Sequence, residues 1–189
     1  MVTSPRNLIR LTAVYTVLLM CPPALADDAL WQRIQQEDNI VLLMRHSYVG
    51  PGNGTVWDKS GKCQGERLIS SEGKLHAQRI GKQFASRQLQ PQVLSSPLCR
   101  AKDTAKIAFG ESKLVPPLRP VRNASDEEVA QQTTRQLLLD MRGKQPVVMV
   151  SHQPTIDALT LELISIGDVV VGKVTDDGEI DVIGQLKIK

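Results

Sequence analysis

The sequence has few aromatic residues, with two Trp, two Tyr and two Phe among 189 residues, and it has no block of consecutive Lys or Arg residues. Surfaces that bind nucleic acids need clustered cations and usually rings that stack on bases, so the composition argues against such a partner. The chain also lacks a His-Glu-x-x-His motif, a Cys-x-x-Cys motif and an acidic cluster with metal-ligand spacing. We therefore expect neither a metal ion nor another cofactor.

What the chain does contain is typical of one globular domain. Hydrophobic residues make up 41% and charged residues 23% of the composition, and the length suits a single core of moderate size. The formal net charge is +3. Two of the basic residues, Arg6 and Arg10, lie in an N-terminal segment, and the remainder is almost neutral, with 21 basic against 20 acidic residues.

The N-terminal segment has the pattern of an export signal. Arg6 and Arg10 precede an apolar run over residues 11–20, which is followed by two prolines and by Ala24-Leu25-Ala26. This order predicts a secretory signal peptide over residues 1–26, cleaved after Ala26. The apolar run is about half as long as a membrane-spanning helix requires, so we expect no stable membrane anchor. The mature protein, residues 27–189, is then a single periplasmic or secreted domain.

Two cysteines remain once the predicted signal has been removed. Export to an oxidising compartment favours a disulfide between Cys63 and Cys99. The alternative is a buried free thiol at one or both positions, because the sequence does not give the separation of the two residues.

Apolar runs and polar stretches alternate along the mature chain. Residues 40–44 form a continuous apolar run that predicts a strand buried on both faces of a parallel sheet. The polar, glycine-rich residues 47–67 predict a functional loop. Helices are predicted at 28–37, 100–109, 126–142 and 154–164, the third with Ser125 as its N-cap. Another helix is predicted to begin after Ser70 or Ser71, with Ala77, Ile80, Phe84 and Ala85 facing inward. Further strands are predicted at 93–96, 114–115 and 146–151, with a C-terminal hairpin at 169–174 and 180–188. This order indicates one α/β domain.

Charged and polar residues follow the three main predicted strands. The first strand is followed by Arg45 and His46, the second leads to Arg100, and the third leads to His152. Ligands in open α/β sheets lie at the carboxyl ends of the strands. If these three ends are neighbours, two arginines and two histidines converge on one place.

Such a cluster suits phosphoryl chemistry. Guanidinium groups match phosphate oxygens in pairs and stay charged, and the predicted helix that begins at Pro154 directs its positive end towards an anion. An imidazole kept neutral by neighbouring arginines can attack phosphorus. Each residue alone also has an ordinary structural explanation, and only their joint occurrence carries the prediction. We expect His76, on the polar face of its helix, to be solvated and to have no role.

Three motifs resemble those of the histidine phosphatase superfamily, which has the phosphoglycerate-mutase-like fold. They are Val-Leu-Leu-Met-Arg-His (residues 41–46), Ser-Ser-Pro-x-x-Arg-x-x-x-Thr-Ala (95–105) and Val-Ser-His-Gln-Pro-Thr-Ile (150–156). The export signal and the two cysteines are most similar to small exported bacterial members, including lipopolysaccharide core heptose-phosphate phosphatase-like proteins. The resemblance implies a three-layer α/β/α domain with a mostly parallel central sheet.

The resemblance also implies roles for individual residues. His46 would be the nucleophile that becomes phosphorylated, while Arg45, Arg100 and His152 would line the phosphate pocket. Ser47 follows the Arg-His pair where many members have Gly, and we expect it to contact the substrate. Ser151 likewise replaces a Gly that many small members carry before the second histidine.

The residue that donates a proton to the leaving group is left open. Larger relatives place a carboxylic acid between the second arginine and the second histidine, and Glu127 is the first candidate here. Asp126 and Asp168 are the alternatives. Acids at a helix N-terminus also stabilise the helix dipole, which gives Glu127 and Asp126 an ordinary explanation.

These features together predict a metal-independent phosphomonoesterase that acts through a phosphohistidine intermediate. The alternatives are a phosphomutase of the same fold and a non-catalytic binder of phosphorylated envelope sugars. The expected partner is a small phosphorylated molecule such as a cell-envelope sugar phosphate, met at an entrance shaped by the loop over residues 47–67, with Trp57, Lys59, Lys62 and Arg67.

Overall fold

The structure is a computed structural model, and it describes residues 25–188 except residues 53 and 55. Residues 1–24 of the predicted signal peptide lie outside the described residues. The helices are α1 (Leu25–Gln36), α2 (Ser71–Ser86), α3 (Cys99–Phe109), α4 (Ala124–Asp140) and α5 (Gln153–Thr160), with a short 3-10 helix at Pro116–Leu118. The strands are β1 (Ile40–Arg45), β2 (Gln92–Ser95), β3 (Lys113–Leu114), β4 (Val147–Ser151), β5 (Val169–Val174) and β6 (Ile180–Leu186).

The six strands form one mixed sheet in the order β3-β2-β4-β1-β5-β6. The first four of these strands are parallel, while β5 and β6 are antiparallel to their neighbours. The predicted α/β fold with a mostly parallel sheet and a C-terminal edge hairpin is therefore confirmed. Strand β1 is buried on both faces as predicted, although one of its two neighbours, β5, is antiparallel.

Helices cover both faces of the sheet, so the domain has the three predicted layers. Side chains of β1 alternate between the faces. Leu42 and Met44 pack with residues of α1, α2 and α3, while Val41 and Leu43 pack with residues of α4 and α5. Each face of the sheet thus has its own apolar cluster, which is why residues 40–44 are continuously apolar.

Several local expectations are confirmed and others are wrong. Ser70 is the N-cap of α2, since its side chain accepts from the Gly73 backbone N–H. Ala85 is exposed rather than inward, because it lies about 100° around the helix from buried Phe84. The N-cap of α4 is Asn123 and not Ser125, because Ser125 already lies in the first turn and the Asn123 side chain accepts from the Asp126 backbone N–H.

The length of α5 differs from the prediction, and the length and apolar character of the helices bear on whether they can cross a membrane. Helix α5 ends four residues earlier than predicted, because Leu161 adopts a left-handed conformation with φ 58°. None of the helices within residues 25–188 is long and apolar enough to cross a bilayer.

Candidate active site

The carboxyl ends of β1, β4 and β2 meet at one edge of the sheet. Parallel pairing places Arg45 beside Ser151 in neighbouring strands, and β2 runs parallel to β4 on its other side. A cavity of about 330 Å³ opens at this edge. The structure brings all four of the central predicted residues to its lining, namely Arg45, His46, Arg100 and His152.

His46 is held with one ring nitrogen free to react. Only 8% of the residue is exposed, and Nδ1 lies 2.8 Å from the Ser47 carbonyl oxygen. Because a carbonyl only accepts, Nδ1 carries the ring proton, and Nε2 is left with its lone pair. Nε2 accepts a hydrogen bond from Nε of Arg100 at 3.2 Å.

The surroundings of His46 keep its ring neutral. Burial lowers its pKa from the usual 6.5 to about 4, and the positive charges of Arg100, Arg45 and Arg67 act in the same direction. The hydrogen bond to the Ser47 carbonyl opposes this shift. A neutral imidazole with a free Nε2 is the form that can act as a nucleophile.

His152 lies beside His46 in the lining of the cavity, and its hydrogen bonds determine which of its ring nitrogens carries the proton. The ring centroids are 5.2 Å apart, and Nε2 of His152 lies 2.8 Å from Oγ of Ser96. Ser96 Oγ accepts from the Leu98 backbone N–H. We therefore assign the Ser96 hydroxyl as the donor to Nε2 of His152, which leaves the ring proton of His152 on Nδ1. Burial, followed by the nearby positive groups, places the pKa of His152 well below its usual value.

The two arginines also present unused donors. Arg45 donates from Nη1 to the Ile164 carbonyl at 3.0 Å, and Arg100 donates from Nη2 to the Gly54 carbonyl at 2.9 Å. Arg45 Nε, Arg100 Nη1 and His152 Nδ1 are three of the five buried side-chain atoms without a hydrogen-bond partner among the described residues. Buried donors without partners are costly, and all three atoms belong to residues that line the cavity.

A disulfide and a buried carboxylate fix the loop over residues 47–67 to the start of α3. Cys63 and Cys99 are bridged, with their Cα atoms 5.9 Å apart, as predicted. Glu66, only 6% exposed, accepts from the Asp58 backbone N–H at 2.9 Å and from the Cys99 backbone N–H at 2.7 Å. These contacts adjoin Arg100, and the sequence contains no local signal for the role of Glu66.

None of the described residues that line the cavity is a carboxylic acid. Glu127 lines a separate depression between α4 and α5, Asp126 accepts from the Asn123 side chain at 2.9 Å, and Asp168 is not part of the lining. Both oxygens of Glu66 already accept backbone N–H groups. The residues that the structure does not describe include no Asp or Glu, so they add no further carboxylic side chain.

Ser47 and His76 differ most from expectation. The Ser47 hydroxyl lies behind the cavity rather than in it, 2.9 Å from the Gly73 carbonyl oxygen and 3.0 Å from Nδ1 of His76. The expectation that His76 is solvated is wrong, because the residue is only 2% exposed. Its position four residues before buried Ile80 places it on the inner face of α2, a signal that the periodicity of the helix contains.

The remaining lining of the cavity includes residues that the sequence did not suggest. Arg122 and Gln153 are polar members of this lining. The predicted entrance residues lie outside the lining. The cations of Arg119 and Lys59 lie over the ring of Trp57, at 5.0 and 5.6 Å from its centroid. Within residues 25–188, apart from 53 and 55, no group of three or more His, Cys, Asp or Glu residues is arranged to hold a metal ion.

Comparison with known proteins agrees with this geometry. Residues 41–123 match the model of the histidine phosphatase superfamily, branch 1. This region contains three of the four central residues, and His152 lies beyond it. No curated protein matches the chain significantly.

Solved structures share the fold at low sequence identity. The protein histidine phosphatase SixA in complex with tungstate has a TM-score of 0.54 at 16% identity, covering 78% of this chain and 96% of its own. A phosphoserine phosphatase mutant from Entamoeba histolytica gives 0.56 at 18% identity, covering 79% and 98%. A phosphoglycerate mutase from Thermus thermophilus gives 0.54 at 19% identity, covering 79% and 99%. Residues 41–123 are thus similar to branch 1 of the histidine phosphatase superfamily, and the solved structures share the fold of the chain.

Proposed function

We propose that the protein is a phosphomonoesterase that uses His46 as its nucleophile and needs no metal ion. The observation that carries this proposal is the neutral His46 ring, whose Nε2 is unprotonated and bonded by Arg100, beside a cavity that Arg45, Arg100 and His152 line. Phosphoryl transfer depends mainly on positioning and on stabilising the charge of the equatorial oxygens. Arg45, Arg100 and His152 offer cationic or N–H donors for that purpose.

In the first step, the phosphoryl group binds with its oxygens against donors of Arg45, Arg100 and His152. Arg100 Nε moves its hydrogen bond from His46 Nε2 to a phosphoryl oxygen, which frees the lone pair. Nε2 then attacks phosphorus, a P–N bond forms, and the bond to the leaving oxygen breaks with its electron pair on that oxygen. Because the described lining of the cavity has no carboxylic acid, this oxygen takes its proton from water.

In the second step, a water molecule attacks phosphorus on the phosphohistidine. The P–N bond breaks, its electron pair returns to Nε2, and the proton lost by the water passes to solvent or to the phosphate that leaves. The hydrogen bond from Nδ1 to the Ser47 carbonyl stabilises the positive ring of the intermediate.

A phosphomutase is the second candidate, since a phosphoglycerate mutase is among the proteins with the same fold. A mutase returns the phosphoryl group to a second substrate hydroxyl, whereas a phosphatase releases inorganic phosphate. Release of phosphate in step with loss of the ester therefore distinguishes the two activities. Binding of phosphate esters without turnover would instead identify a non-catalytic binder.

We also propose that the protein acts outside the cytoplasm on a phosphorylated sugar of the cell envelope. Support for export comes from the signal-like residues 1–26 and from the bridged Cys63 and Cys99. Support for the substrate is the resemblance of the export signal and the two cysteines to small exported bacterial members of the superfamily, which include heptose-phosphate phosphatase-like proteins. Cleavage after Ala26 would make Asp27 the first residue of protein from a periplasmic extract, which N-terminal sequencing measures directly.

The activity is tested by hydrolysis of p-nitrophenyl phosphate with mature protein, with and without EDTA. We expect EDTA to have no effect and His46→Ala to abolish turnover, while Lys82→Ala, an exposed position on α2, keeps wild-type activity. Full activity in His46→Ala would refute the proposed nucleophile. A panel of envelope sugar phosphates, other sugar phosphates and phosphohistidine peptides then identifies the substrate class.

A further inference from the structure

His76 is buried outside the cavity, and both of its ring nitrogens have hydrogen-bond partners. His76, on α2, has Nε2 2.8 Å from the Ile188 carbonyl oxygen and Nδ1 3.0 Å from Oγ of Ser47. The Ile188 carbonyl only accepts, so Nε2 carries a proton. In the neutral ring, Nδ1 is then an acceptor for the Ser47 hydroxyl, whose proton can also point at the Gly73 carbonyl.

The ring of His76 is closely packed. Gly167 has φ +78°, and a Cβ at this residue would overlap the imidazole of His76. The ring of Tyr48 lies nearby, with ring centroids 5.0 Å apart. These contacts restrict the movement of the His76 ring beside Ser47.

Ser47 connects this buried ring to the cavity. Its carbonyl oxygen accepts from Nδ1 of His46 at 2.8 Å, and its backbone N–H donates to Oγ1 of Thr104 at 3.0 Å. Thr104 Oγ1 in turn donates to the Arg100 carbonyl at 2.7 Å. Ser47 thus has its N–H, its carbonyl and its hydroxyl held at the same time, between β1 and helices α2 and α3.

We propose that His76 is a positioning residue for the nucleophile. By holding the Ser47 hydroxyl, it aims the Ser47 carbonyl at Nδ1 of His46 and so selects the tautomer whose Nε2 has a lone pair in the cavity. The inference rests on the proposed function of His46. Without His76, the Ser47 hydroxyl keeps only its contact with the Gly73 carbonyl. The Ser47 carbonyl is then held less firmly against Nδ1, the His46 ring exchanges between its two tautomers, and the form with a proton on Nε2 cannot attack phosphorus.

The first test compares two substitutions of similar size. His76→Leu removes both hydrogen bonds, whereas His76→Gln keeps an amide oxygen for the Ser47 hydroxyl and an amide N–H for the Ile188 carbonyl. We expect kcat in His76→Leu to fall by about 10²-fold, the typical effect of misplacing a reacting group, with KM little changed. His76→Gln should recover most of kcat. Ile80→Val, one turn further along α2, removes one methyl group from the core and leaves the hydrogen bonds of His76 and Ser47 in place. This variant should keep wild-type kcat.

The second test uses Ser47→Ala, which removes only the hydroxyl. If His76 acts through Ser47, the double variant Ser47→Ala/His76→Leu should be no slower than His76→Leu alone. If the fold-loss of kcat in the double variant equals the product of the losses in the two single variants, the two side chains act separately and the inference is overturned. Ser47→Ala also keeps the test open if His76→Leu fails to fold.

The third test reads the tautomer without any turnover. Long-range proton–nitrogen NMR spectra resolve both ring nitrogens of each of the three histidines. We expect His46 to be protonated on Nδ1 in the wild type and in His76→Gln, and to be a mixture of tautomers in His76→Leu. An unchanged His46 tautomer with unchanged kcat in a folded His76→Leu protein would overturn the inference. If instead the wild type hydrolyses no phosphate ester, the proposed function fails, and the tautomer measurement still decides the role of His76.

Discussion

Nε of Arg100 lies 3.2 Å from Nε2 of His46 and donates a hydrogen bond to the atom that we propose as the nucleophile. Arg100 is held in this position by a second bond, from Nη2 to the Gly54 carbonyl. Its Nη1 atom has no partner among the described residues. The guanidinium therefore orients the lone pair of His46 before a substrate arrives, and in the proposed first step its Nε donates to the phosphoryl group instead.

We predict that Arg100→Lys lowers kcat/KM by about 10²- to 10³-fold, as loss of a donor to the transition state does in other enzymes. A single ammonium group cannot bond the Gly54 carbonyl and two positions on the substrate in the planar arrangement of a guanidinium. Steady-state kinetics with p-nitrophenyl phosphate measure the effect. Arg79→Lys, exposed on α2, serves as the control, and equal activity of the two variants would contradict the role of Arg100.

The lowered pKa of His46 predicts how stability depends on pH. The unfolded chain takes up a proton on this histidine near pH 6.5, whereas the folded protein does so only near pH 4. Between these values the unfolded state binds more protons, so the free energy of unfolding falls as the pH falls through this window. Urea denaturation at several pH values measures the slope.

The matched variant for this experiment is His46→Gln, which cannot titrate. His152 contributes a slope of the same sign in both proteins, because its pKa is lowered too. We therefore expect a steeper slope in the wild type than in His46→Gln. Equal slopes would show that His46 titrates normally in the folded protein.

The disulfide between Cys63 and Cys99 closes a loop across a sequence separation of 36 residues. In the chain-entropy account, closing a loop of this size stabilises the folded protein by about 4 kcal/mol. We therefore expect the free energy of unfolding of Cys63→Ser/Cys99→Ser to be lower by about that amount. Because the bridge adjoins Arg100, we also expect lower kcat/KM. Denaturation and kinetics of the oxidised and reduced wild type provide the comparison, and a reduced protein with unchanged stability would contradict the prediction.

The described lining of the cavity contains no carboxylic acid, which predicts that the rate depends strongly on the leaving group. A positioned general acid contributes about 10²- to 10⁴-fold to a rate, so an alkyl phosphate should react slower than p-nitrophenyl phosphate by a factor in that range. The comparison of kcat/KM for glycerol phosphate and a series of aryl phosphates measures this dependence. Similar values across the series would mean that a group such as Glu127 reaches the leaving oxygen during turnover.

The sequence predicted the framework of the site because that framework depends on short patterns. Residues 40–44 are apolar since both faces of β1 are covered. Polar residues directly after β1 and β4 must lie at one edge, because the two strands are parallel neighbours. The geometry of parallel sheets is general enough to convert such patterns into a shared location.

The supporting contacts could not be predicted in the same way. Glu66 bonds the Cys99 backbone N–H across 33 residues, and its position depends on the path of an irregular loop. The buried ring of His76 meets Ser47 only because Gly73 lets α2 approach the backbone of Tyr48, where a Cβ would overlap the Tyr48 carbonyl. Both contacts follow from tertiary packing that short sequence patterns do not encode.

The most direct test of the account is to locate the phosphoryl group on the enzyme. Mature protein is mixed with p-nitrophenyl phosphate, quenched within milliseconds in alkali, in which phosphohistidine survives, and mapped by peptide mass spectrometry with phosphorus NMR of the intact protein. The account predicts one phosphoryl group, on Nε2 of His46, and none in His46→Ala. A phosphoryl group on another residue, or turnover by His46→Ala at the wild-type rate, would contradict it.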